Sequence, residues 1–122
     1  MSTHLTNRFA TREPTGCAVC HRHAVWIGYH RGGRSPIVWL CDDSGCHAAA
    51  KRVYAMPQPN LDAYEIGAVL EAGNDAGGFL ETTGTTDLSQ LDDWQWCEFL
   101  RRIVVGFERS LRRKILENEP PF

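Results

Sequence analysis

Cys17-Ala-Val-Cys20, followed after twenty residues by Cys41-Asp-Asp-Ser-Gly-Cys46, is the stretch that decides the fold of this 122-residue chain. Two close pairs of thiols in a chain with no recognisable secretory segment are read as metal ligands before disulfides, because a reducing compartment disfavours S–S bonds. A C-x2-C pair and a C-x4-C pair can bring four thiolates to the corners of a tetrahedron around one Zn²⁺, with the chain between them folded back as a hairpin. The expected cofactor is therefore one structural Zn²⁺ held by Cys17, Cys20, Cys41 and Cys46.

The intervening segment fits that plan. Ala24-Val-Trp-Ile-Gly-Tyr29 reads as a strand, Arg31-Gly-Gly-Arg-Ser-Pro36 as a turn and Ile37-Val-Trp-Leu40 as the returning strand. Asp42, Asp43 and Ser44 offer N-caps for a helix over Cys46–Met56 that Pro57 stops. Knuckle, hairpin and a helix whose first turn carries the last ligand resemble the treble-clef arrangement. Cys46 would then sit near the positive end of the helix dipole, which favours its thiolate. His47, and more distantly His21 or His23, compete as ligands. Four cysteines already close the shell, so these histidines and His30 are expected to be exposed polar groups around the hairpin.

Charge is segregated along the chain. Seven basic and three acidic residues precede Val53; nine acidic and no basic residues lie between Val53 and Leu100; six basic and three acidic follow. The net charge of −2 argues against a bulk coat of duplex DNA, and the longest apolar stretch, Ala24 to Tyr29, is far short of a membrane span. Cytoplasm is the expected location.

Downstream of Pro57-Gln-Pro-Asn60, read as a linker with Asn60 as N-cap, a helix is expected from Leu61 to Leu80. Gly73, Gly77 and Gly78 weaken it and Gly84 stops it. Residues 85–91 form a connector with room for one helical turn. Asp92-Asp-Trp-Gln95 opens the last helix in the capping-box pattern. At about 100° per residue, Trp96, Leu100, Ile103, Val104, Phe107, Leu111 and Ile115 share one arc, with Cys97 packed at its edge. The opposite arc carries Arg101, Arg102, Arg109, Arg112 and Arg113. Guanidinium forks suit phosphate and carboxylate oxygens, so this arc is the candidate surface for nucleic acid or an acidic partner. Salt bridges to the acidic middle of the chain are its structural alternative.

The fold class expected is α+β, a treble-clef-like zinc module followed by a helical C-terminal half. Residues 1–14 form an arm, 15–57 the zinc module, 58–116 the helical region packed on it and 117–122 a C-terminal tip.

Two resemblances extend this reading. The tip, Leu116-Glu-Asn-Glu-Pro-Pro-Phe122, resembles the acidic tip of bacterial single-stranded DNA-binding proteins. That likeness implies Phe122 and its carboxylate as an anchor for a DNA-metabolism enzyme, preceded by Pro121 and the acids Glu117 and Glu119. It departs in having only two acids, and Pro120 in place of a larger side chain. More widely, CAVC, IGY, WLCDD with a Cys at a helix start, YAMPQ, EFLRRIVVGF and the final PPF resemble a family of small zinc-binding proteins of bacteriophages and prophages. The likeness supports the ligands, the fold and a phage-infected or prophage-carrying bacterial cell, not a reaction.

The functional expectation is a non-enzymatic adaptor that engages nucleic acid or a host DNA-replication, repair or defence protein. A purely protein-directed inhibitor or structural module is the alternative. A small metal-dependent nuclease is more remote, because no Asn lies between Arg8 and Pro59 to orient a general-base His, and a closed thiolate shell has no position for water.

Overall fold

The computed structural model describes residues 14–117. Two antiparallel strands, β1 (Val25–Tyr29) and β2 (Val38–Leu40), are followed by helices α1 (Ser44–Ala55), α2 (Gln58–Thr83) and α3 (Asp93–Glu117), so the architecture is α+β with a helical C-terminal half. The hairpin turns through Gly32 and Gly33, both at positive φ. Ser35 secures that turn, accepting from the Arg31 amide at 3.0 Å and donating to the Gly32 carbonyl at 2.7 Å. Near its open end the ladder is irregular: Val25, Trp26 and Ile27 all fall opposite Leu40. This bend aims the start of β1 towards the knuckle, where Gly16 bridges to His23.

Asp43 caps α1 by accepting from the Gly45 amide at 2.7 Å. Residue Met56 ends α1, and Pro57 is already the N-cap of α2. Asn60 therefore lies inside the first turn of α2, not at its cap. The reason is local: Pro59 stands at a first-turn position whose missing N–H has no intrahelical partner to lose. The three glycines leave α2 unbroken for 26 residues, and it ends at Gly84 in the left-handed conformation, φ 81°. A single 3-10 turn, Leu88–Gln90, supplies the connector. Asp92 and Gln95 then exchange hydrogen bonds, Gln95 N–H to Asp92 Oδ1 at 2.8 Å and Asp92 N–H to Gln95 Oε1 at 3.0 Å, completing the expected capping box.

The core is assembled around the cysteines. Val19, Val38, Leu40, Ala49, Ala50 and Val53 surround them, Leu61, Tyr64 and Ala68 enter from α2, and Leu111 and Ile115 from α3. A thinner seam continues between α2 and α3 through Ala72, Ala76 and Phe79. There a Cβ on Gly106 would lie 3.2 Å from the Ala72 methyl, so a small residue on each helix permits the close crossing. Helix α1 and the knuckle residue His21 reach only the C-terminal half of α3, through Arg52 at the Ile115 carbonyl, Asp43 and Cys46 at Arg112, and His21 at Phe107. Consequently Leu111 and Ile115 are buried, whereas Trp96, Leu100 and Val104 on the same apolar arc are exposed. No helix among the described residues is long and apolar enough to cross a membrane.

Candidate metal centre

Each thiol reaches the centre from a different local device. Cys17 and Cys20 flank a tight knuckle in which the His21 amide donates to the Cys17 carbonyl at 3.0 Å and the Val19 amide lies 3.4 Å from Cys17 Sγ. His21 closes that knuckle at φ 71°, the one left-handed non-glycine among the described residues. A side chain there costs about 1–2 kcal/mol relative to the right-handed form. Cys41 directly follows β2, and Cys46 lies in the first turn of α1.

All four are essentially inaccessible, and their sulfurs lie within 4.8 Å of one another. Cys20 Sγ and Cys41 Sγ are 3.7 Å apart. Four ligands at about 2.3 Å from a tetrahedral ion would be about 3.8 Å apart, whereas a disulfide would bring two sulfurs to about 2.05 Å. The four cysteines are free thiols positioned to hold one metal ion. Packed together without a cation, they cannot all carry charge. Hydrogen bonds from Cys20 and Cys46 hold Cys17 far below the usual thiol range. The bond to Cys17 pushes Cys20 up to about 12, and the same partner, followed by Cys20 and burial, pushes Cys46 strongly up. A bound cation would take the place of those protons.

Arg112 completes the surroundings. Its Nε is 3.1 Å from Cys46 Sγ and 3.3 Å from Asp43 Oδ1, and its side chain is largely buried. Burial disfavours the guanidinium charge, but the hydrogen bond and charge of the Cys46 sulfur, with Cys20 and Asp43 adding, together outweigh it and hold Arg112 firmly protonated. Gly45 makes room for this approach, since a Cβ there would come within 2.6 Å of Arg112 Cδ. Nothing in a linear reading couples position 112 to position 46.

The four described histidines stand outside the thiol cluster. His47 Nε2 is 2.7 Å from the Cys41 carbonyl, His30 accepts from the Gly32 amide, and His23 is exposed. His21 differs from the expected exposed group: it is half-buried, edge-on to Phe107 at 5.6 Å, with Nε2 3.7 Å from Glu65.

The structure divides the arginine arc. Arg101 and Arg102 both reach Glu98, through Nε at 3.1 and 3.2 Å, and Arg102 also lies over the Phe79 ring at 4.9 Å and near Asp75. Arg113 bonds Glu71 of α2 at 2.8 Å and Glu117 at 3.4 Å. Arg112 belongs to the metal centre. Arg109 makes no ion pair among the described residues. Together with Arg101 and Arg102 it lines a polar cleft of about 390 Å³ between α2 and α3, with Asp75 opposite. Glu117 is the exposed last residue of α3, whereas Glu119, Pro121 and Phe122 lie outside the described residues. Cys97 is exposed, a correction to the packed thiol expected at the edge of the apolar arc, because the metal module ends short of it.

No known family model matches the chain, and neither the curated proteins nor the solved structures contain a significant match to it.

Proposed function

We propose that this chain is a non-enzymatic adaptor built on one structural Zn²⁺, whose α2/α3 pair engages nucleic acid or an acidic surface of a DNA-metabolism protein. Zinc is the natural ion for a soft tetrahedral set of four thiolates in a reducing cytoplasm. The shell is closed, so the ion's role is to hold the fold. The observation that carries the binding reading is the cleft in which Arg101, Arg102 and Arg109 converge, with Arg109 uncommitted among the described residues. Three guanidinium groups at one groove suit phosphate oxygens. The setting in a phage-infected or prophage-carrying bacterium, and the docking of the Phe122 tip on a repair or replication enzyme, form part of the proposal and follow the sequence resemblances.

A second reading, a protein-directed inhibitor or structural module, is favoured by how many arginines are already answered internally. Glu98 meets Arg101 and Arg102, Glu71 meets Arg113, and Asp43 meets Arg112.

Fluorescence anisotropy with labelled single-stranded DNA, duplex DNA and RNA at low salt separates the two. Binding that falls steeply with salt and weakens on Arg109→Ala supports the nucleic-acid arm. No binding to any of the three would eliminate it and leave the protein arm. That arm is tested by pull-down from nuclease-treated bacterial lysate, with and without residues 120–122. A partner retained only by the intact chain supports the tip, and an identical profile removes it.

A further inference from the structure

Away from the arginine cleft, the other side of the α2/α3 pair is apolar and not covered by any of the described residues. On α2, Ile66 and Val69 are 63% and 53% exposed; on α3, Val104 is 57% exposed, and Leu100 and Trp96 precede it at four-residue intervals and are also exposed. The two rows adjoin, since Val69, Ile103, Val104 and Phe107 line one almost wholly apolar groove of about 380 Å³. A second groove, sharing Val69 and Phe107, continues it to Ile66 and Leu70.

The α2 row then changes character. Four and eight residues beyond Val69 come Gly73 and Gly77, and a Cβ on either would meet nothing within 4 Å. Each glycine in a helix interior costs about 1 kcal/mol relative to alanine, and nothing among the described residues approaches these two closely enough to require it. An approaching helix would require it. The row of large side chains that fits such a gap is on the same surface: Trp96, Leu100 and Val104. Large residues on α3 and absent side chains on α2 make the face complementary to itself, as a two-fold interface demands.

We infer that this face docks a second copy of the chain, α3 of each copy lying along α2 of the other to close a four-helix bundle. The free stretch from Ile66 to Leu80 is about 22 Å long and the pair roughly 20 Å wide, giving on the order of 450 Å² per copy. That is about half the usual share of a stable interface, so the association is concentration-dependent, in the micromolar range.

Sedimentation equilibrium of the zinc-loaded chain without nucleic acid tests this separately from the adaptor reading. The expected result is a mass that doubles between about 1 and 500 µM. Val104→Glu should hold it at the monomer value with metal content unchanged. Gly77→Leu should also give monomer, while keeping or raising the melting temperature, because leucine is the better helix former and only an incoming helix is obstructed. A wild-type chain that stays monomeric throughout, or a dimer that persists in Gly77→Leu, would overturn the inference.

Discussion

Arg112 Nε lies 3.1 Å from Cys46 Sγ, so α3 reaches back 66 residues along the chain to the candidate metal centre. A Zn²⁺ bearing four thiolates carries about two net negative charges in a buried site, and one hydrogen-bonded guanidinium offsets part of that charge. The same contact ties the C-terminal helix to the first turn of α1, so this side chain would support a bound metal while adding to the docking that Leu111 and Ile115 provide.

Arg112→Ala is therefore expected to weaken zinc by about 10–100-fold, the range typical when a partner of a metal ligand is removed. Arg112→Lys should restore part of the loss, since it keeps the charge without the planar fork. Competition with a chromophoric chelator gives the affinities. Equal zinc retention in wild type and Arg112→Ala would show that the contact does not support the centre.

Zinc binding should release protons and tighten as pH rises. Without metal, the bond to Cys17 pushes Cys20 up to about 12, and Cys17 and Cys20 raise Cys46, so both are protonated at neutral pH and must lose those protons to bind. Acidification reverses the step, and zinc should be lost as pH falls. Calorimetric titration in buffers of different ionisation enthalpy counts the protons. A pH-independent affinity would exclude four-thiolate binding.

Glu71 links α2 to α3 through Lys114 at 2.6 Å, Arg113 at 2.8 Å and the Ser110 hydroxyl at 3.0 Å. Its carboxyl is held below the usual range chiefly by Lys114, against partial desolvation, with Ser110 and Arg113 adding. A depressed carboxyl stabilises the fold above about pH 4.3, and that contribution disappears as pH falls through the lower folded value. Glu71→Gln should cost about 1 kcal/mol at neutral pH, given the group's partial exposure, and flatten the acid limb of the stability curve. Denaturant melts at several pH values measure both effects.

The metal ligands and the capping box were legible because their chemistry is local. The spacing of Cys17, Cys20, Cys41 and Cys46 limits what they can do, and Asp92 with Gln95 reads as a cap on sight. The start of α2 misled because Pro-Gln-Pro-Asn has the composition of a linker, yet proline is tolerated in a first helical turn. The arginines were legible only as an arc. Position around a helix axis says nothing of which carboxylate stands opposite, so Arg112 at the thiols and Arg113 at Glu71 required the tertiary fold. Cys97 is exposed for a related reason: the arc beside it is apolar, but helix α1 and the knuckle cover only the far half of that arc.

That asymmetry gives a direct assay of the centre. Cys97 is exposed, whereas Cys17, Cys20, Cys41 and Cys46 are buried together, and a bound metal would further suppress their nucleophilicity. Iodoacetamide treatment of dilute zinc-loaded protein should modify Cys97 alone, and Cys97→Ser should then show no rapid adduct. After chelation, all five thiols should label, because most of the core is packed on the cysteines and should loosen with them. Rapid labelling of Cys46 in the loaded protein would mean that the fourth ligand position is open and the shell is not closed.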